Sequence, residues 1–161
     1  MMPLRTLEIP MSITRLLSAL VLSLSSLAAF AQEEVKLEIT ANDMMQYDKK
    51  EFTVTTGQKV TITLKHIGKL PKVAMGHNIV ILKPGTAGPA FAMKGMAAAA
   101  SGYVPQDEDS KKLIVAHSDT IGGGETTTFT FTAGEPGAYP YLCTFPGHFA
   151  LMNGVMTVKA K

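Results

Sequence analysis

The stretch "YLCTFPGHFALMNG", residues 141–154, puts a thiol, an imidazole and a thioether on one short segment: Cys143, His148 and Met152. Cys143 is the only cysteine in the chain, so it has no partner for an internal disulfide, and an odd cysteine marks either a reactive thiol or a metal ligand. Soft sulfur together with imidazole suits copper, whereas magnesium and calcium call for oxygen ligands. Zinc accepts Cys and His but has little use for Met. One thiolate and two imidazoles in a plane with a weak axial Met is a recognised copper arrangement, matched here rather than deduced. It needs a second histidine from elsewhere in the chain. His66 in "LKHIG", His77 in "MGHNIVIL" and His117 in "LIVAH" all qualify. His77 is best placed, because it follows Gly76 at the start of an expected strand, but residue types and spacing leave the choice open.

The elements that must position these residues read as short strands separated by turn signals, the pattern of a sandwich or barrel. "VKLEITA" (35–41), "KVTITLK" (59–65) and "TTTFTFTA" (126–133) alternate apolar and polar residues with period two. "HNIVIL" (77–82) and "KLIVAH" (112–117) are denser apolar runs, and "AYPYLC" (138–143) and "GVMTVKA" (154–160) complete the set. Cys143 thus ends one strand, Pro146-Gly147 turns the chain, and another strand begins near Val155. The loop between two anchored strands can bring its side chains to one point. "GPAFAMKGMAAAASG" (88–102) breaks the rhythm. Pro89 near its start and Gly102 past its end predict one short helical flap.

Residues 1–31 carry Arg5 and Arg15, an interrupted apolar run and the ending Ala29-Phe30-Ala31. This is the pattern of a cleaved secretory signal peptide, with Met11 as an alternative start. The run falls short of the roughly 20 apolar residues a membrane-spanning helix needs, and no lipobox cysteine follows it, so no membrane anchor is expected. Cleavage leaves residues 32–161 as a single domain, expected to be monomeric. That segment holds 13 lysines, no arginine and 12 acids. A balance so near neutrality provides neither the basic stripe of a nucleic-acid binder nor a polybasic membrane patch. Partners should be met through apolar contact.

"LPKVAMGHNIVIL" and "CTFPGHFALMNGVMTVK" resemble the two copper-binding segments of the azurin family of small type 1 blue-copper proteins. "ANDMMQYD", "GYVPQDEDSKK" and "VAHSDTIGGGE" extend the resemblance over residues 32–161. It implies an all-β, cupredoxin-like fold, a Greek-key β-sandwich or barrel of about seven to eight strands with one helical flap. It further implies one copper per chain, with His77, Cys143 and His148 in the plane, Met152 as a long axial ligand and the Gly76 carbonyl as a weak second one. Asn78 would tie the two segments together through its side chain, and the backbone N–H groups of Asn78 and Phe145 would donate to the Cys143 sulfur. His148, expected on an exposed turn, would be the electron's exit. Around it Met45, Leu70, Ala74, Met75, Met96, Phe145, Pro146 and Leu151 would form an apolar patch for c-type cytochromes or periplasmic oxidoreductases. The function implied is one-electron transfer in the periplasm, without enzymatic activity.

Other readings compete. A hydrolytic Cys–His pair needs an orienting third group, and the loop provides none. Copper storage or delivery would use exposed soft ligands, and Met44, Met45, Met93 and Met96 could resemble such a cluster. A catalytic copper domain would need a second site, for which too few histidines remain. The chain also departs from azurins: they generally carry a disulfide between the N-terminal strand and a later turn, and often a buried tryptophan. This chain has neither a second cysteine nor any tryptophan.

Overall fold

The computed structural model describes residues 34–161, so the expected signal segment lies outside the described residues. Nine strands are present among them: β1 (Glu34–Asn42), β2 (Gln46–Tyr47), β3 (Glu51–Thr55), β4 (Lys59–His66), β5 (Val80–Leu82), β6 (Ile114–His117), β7 (Thr126–Thr132), β8 (Gly137–Leu142) and β9 (Asn153–Lys159). They form one sheet in the order β2-β1-β4-β7 and another in the order β3-β9-β8-β5-β6. Both sheets are mixed. β1 runs parallel to β4 and β3 parallel to β9, while the remaining pairs are antiparallel. The architecture is a sandwich, not a closed barrel.

Period-two patterning produces the core between the sheets. β1 contributes Ile39 and Ala41, and β4 contributes Val60, Ile62, Leu64 and His66, all buried. In register, Ile62 faces Phe129 and Val60 faces Phe131 across the β4–β7 pair, and the two phenylalanine rings stack at 6.2 Å. The second sheet answers with Ile79, Ile81, Tyr139, Tyr141, Met156 and Val158. Its other face is buried as well. Val80, Leu82 and Leu142 pack with Phe91, Ala92 and Val104. A strand covered on both faces is apolar throughout, which is why "IVIL" does not alternate. The cover is helix α2 (Gly88–Gly95), with Pro in its first turn. A 3₁₀ turn, Ala99–Ser101, follows and ends at Gly102 in the left-handed region.

Several sequence expectations need correction. Strand β5 begins at Val80, not His77, which instead forms an isolated bridge with Ile121. Strand β6 begins at Ile114, because Glu108–Leu113 is a helix, α3, whose N-terminus is capped by the Asp107 carboxylate accepting from the Ser110 N–H. A further short helix, α1 (Lys72–Met75), precedes Gly76. The β3 strand, "EFTVT", has proper alternation but was not among the expected strands.

Candidate metal centre

One end of the sandwich gathers the end of β8, the start of β9 and the ends of β1 and β4. From β8 the chain passes directly to Cys143. The Cys143 N–H donates to the Met152 carbonyl (3.0 Å), and the Met152 N–H donates to the His148 carbonyl (2.9 Å). These bonds clasp the two ends of the loop. Inside it Gly147 takes φ 82°, a left-handed conformation that glycine adopts without a Cβ penalty. A 3₁₀ turn, His148–Ala150, then folds the chain back.

His77 reaches the same place from the opposite segment. Its backbone exchanges two 2.9 Å hydrogen bonds with Ile121. Gly76, before it, is wedged: a Cβ there would stand 2.7 Å from the Lys72 carbonyl and 2.8 Å from the Phe145 ring. The Asn78 side chain joins the two segments. Its Oδ1 accepts from the Thr144 N–H (2.9 Å), and its Nδ2 lies 2.9 Å from Thr144 Oγ1 and 3.1 Å from the Gly102 carbonyl.

The structure thereby brings His77, Cys143 and His148 together, all buried, with their ligating atoms within 4.8 Å of one another. The two Nδ1 atoms lie 3.2 Å apart, and His148 Nδ1 is 3.8 Å from Cys143 Sγ. The Gly76 carbonyl oxygen is 4.0 Å from the same sulfur. His77 Nε2 is 2.9 Å from the Asn42 carbonyl, which has only lone pairs to offer, so Nε2 carries the proton. Nδ1 is then left with its lone pair directed into the cluster. The backbone N–H groups of Asn78 and Phe145 donate to the sulfur. Met152 is fully buried in the core beside the cluster.

Burial decides the charge states. It lowers His77 to about 4, aided by the nearby His66 and His148 and opposed by the Asn42 bond and Asp43. His148 is lowered by burial and then by His66. Burial pushes the Cys143 thiol up to about 11, against the hydrogen bonds from Asn78 and Phe145 and the smaller pull of the nearby Tyr47 hydroxyl. At neutral pH the site therefore holds two neutral imidazoles and one protonated thiol. A soft metal ion can displace that single proton, and among the described residues no carboxylate enters the cluster, so the donor set fits copper.

The other two histidines stay outside. His66 is fully buried and stacks on His77 at 4.3 Å. Both its ring nitrogens are used: Nε2 faces the Met75 carbonyl (3.0 Å), and Nδ1 accepts from the Gly68 N–H (3.0 Å). His117 is exposed, with Nδ1 3.1 Å from the Ser118 carbonyl.

Of the expected apolar patch, Leu70, Ala74, Met96 and Leu151 are exposed, while Met45, Met75 and Pro146 are half-buried and Phe145 is buried. The turn itself is exposed at Gly147, Ala150 and Leu151, but His148 is only 4 % exposed, with Phe145 packed on its ring at 4.7 Å. Sequence reasoning missed Val73, 86 % exposed beside the site, and Tyr47, whose hydroxyl donates to the Asn78 carbonyl. The only cue to Tyr47 was its place in "ANDMMQYD".

Two mixed sheets of this order, with sulfur and imidazole donors enclosed where the loops meet, are the arrangement of the cupredoxins, the blue-copper class. The chain belongs to the plastocyanin/azurin family of copper binding proteins, whose model matches residues 33–159. It is 45% identical over 127 residues to Azurin-1 of Alcaligenes xylosoxydans xylosoxydans, covering 76% of this chain and 96% of that one. With Azurin of Achromobacter denitrificans it shares 43% over 146 residues, 88% of this chain and 95% of the relative. Among solved structures it is similar to auracyanin A, a "blue" copper protein of Chloroflexus aurantiacus. The TM-score is 0.70 at 39% identity, covering 78% of this chain and 99% of the other.

Proposed function

We propose that residues 32–161 form a periplasmic electron carrier that moves one electron at a time between redox partners and has no enzymatic activity of its own. One observation carries the reading: a thiol and two imidazoles buried together, within 4.8 Å, on two segments bonded to each other. When bound, copper supplies a one-electron Cu(II)/Cu(I) couple. His77, Cys143 and His148 would hold it, with Met152 and the Gly76 carbonyl as further, weaker donors.

The rest of the chemistry belongs to the protein. The Asn42 carbonyl fixes the His77 tautomer, and a ligand imidazole so oriented is a stronger base. The clasp between Cys143 and Met152 ties together the two ends of the loop that carries Cys143 and His148. Phe145, packed on His148 and Tyr103, excludes water. A closed, rigid site leaves no position for a substrate and suits outer-sphere transfer. The apolar surface of Leu70, Val73, Met96 and Leu151 fits the weak, small interfaces of redox encounters. Its partners by class are c-type cytochromes or periplasmic oxidoreductases, met by a monomer exported through a signal peptide.

Copper storage or delivery has one observation in its favour, the exposure of Met44, Met93 and Met96. Mixing oxidised and reduced copper-loaded protein and following electron self-exchange by NMR line broadening separates the two. A carrier exchanges electrons quickly and keeps its metal against a copper(I) chelator. Rapid loss of copper to the chelator, with no exchange, would establish delivery instead.

A further inference from the structure

Tyr47 is the last residue of β2, and its side chain is buried against Tyr141, ring centroids 5.9 Å apart. Phenylalanine would fill the same space without a polar group to satisfy. A buried hydroxyl costs free energy unless it is hydrogen-bonded, so the partners it has chosen matter. It donates to the carbonyl of Asn78. The N–H of that same peptide unit, on Ile79, donates to Ser118 Oγ (2.9 Å), so the unit is pinned at both ends. Across the Asn78 Cα, in the preceding peptide unit, the Asn78 N–H donates to the Cys143 sulfur.

We propose that Tyr47 is a positioning residue for the Cys143 sulfur, its hydroxyl holding the Asn78–Ile79 peptide and so, through the Asn78 Cα, the aim of the adjacent Asn78 N–H at the thiolate, from which that N–H draws electron density. This rests on Cys143 being the thiolate of a copper site. Hydrogen bonds to that sulfur are among the groups that set a blue-copper potential. With the bond loosened, the sulfur is more electron-rich, Cu(II) gains relative to Cu(I), and the potential falls. An apolar replacement acting only by excluding water would raise it. The two accounts differ in sign.

The test is Tyr47→Phe in the full mature chain, read in two ways. In copper-free protein, amide hydrogen exchange at Asn78 and Ile79 should speed up at least fivefold relative to Val60 and Ile62 in the far sheet. In copper-loaded protein the Cu(II)/Cu(I) ratio at fixed applied potential should rise at least threefold, about 28 mV at 59 mV per tenfold for one electron. Unchanged exchange at Asn78 and Ile79, a shift under twofold, or a rise in potential each overturns the proposal. Should the Phe variant not fold, Ser118→Ala loosens the other end of the same peptide and must shift both readings in the same direction. Wild-type protein measured alongside keeps the two claims separate. If it lacks a thiolate-to-copper band that Cys143→Ser removes, the copper assignment fails. If it has the band and Tyr47→Phe changes nothing, only the role of Tyr47 fails.

Discussion

Replacing Asn78 by alanine should destabilise the copper-free protein far more than one side-chain amide on a surface would. Asn78 is fully buried, and Thr144 is 1 % exposed. The substitution strips the Thr144 N–H of its 2.9 Å acceptor and takes from Thr144 Oγ1 both its bonds to the amide. The Gly102 carbonyl keeps a partner, because Thr120 Oγ1 also donates to it at 2.6 Å. A buried donor left unpaired costs about 1–3 kcal/mol, and each further lost bond about 1 kcal/mol net. The total is roughly 3–5 kcal/mol. At about 3–4 °C per kcal/mol for a domain of this size, the Tm should drop by roughly 9–20 °C. Thermal unfolding of metal-free protein followed by circular dichroism measures it. A double-mutant cycle with Thr144→Ala should show a coupling of at least about 0.5 kcal/mol, as expected of residues in one network. A loss below about 1 kcal/mol, or strict additivity in the cycle, would refute the claim that this amide is the tie between the two segments.

Three further outcomes follow from the same geometry. Because burial holds the Cys143 thiol up to about 11, binding of Cu(II) at pH 7 should release one proton per metal. Calorimetry in buffers of differing ionisation enthalpy counts it, and zero release contradicts the charge assignment. His77 is lowered from 6.5 to about 4 chiefly by burial, so the unfolded chain binds the extra proton first. The stability of the copper-free protein is therefore full above pH 6.5 and falls as pH drops toward 4, and a flat denaturant midpoint across that window would be inconsistent. Met152→Leu conserves volume and should cost less than about 1.5 kcal/mol in stability. It should nonetheless move the potential upward through loss of the thioether, and an unmoved potential would remove Met152 from the groups that hold the copper.

Much of this was legible in the sequence because the strongest signals were also the physical determinants. The alternation in "KVTITLK" and "TTTFTFTA" exists because those strands have one buried face, and the structure places them as β4 and β7. The Cys and His of one loop could converge because the strands flanking it pair as neighbours, with Leu142 opposite Asn153. The choice of His77 over His66 and His117 was not legible from spacing. It depends on Ile121 and Asn42, which hold His77 from far along the chain. Helix α3 was hidden by the apolar "LIV" after it, although Asp107 gives a regular N-cap signal. The burial of His148 came from the packing of Phe145, a contact that no local pattern reveals. Tyr47 stands in a two-residue strand too short for any periodicity.

The central claim is that His77, Cys143 and His148 hold one copper ion through the thiolate of Cys143. The most direct measurement is the visible absorption spectrum of the mature chain titrated with Cu(II), beside its Cys143→Ser variant. The account predicts an intense thiolate-to-copper band that saturates at one equivalent, bleaches reversibly with ascorbate and is absent from the variant. One equivalent bound with no such band, or a band that survives the loss of Cys143, would contradict it.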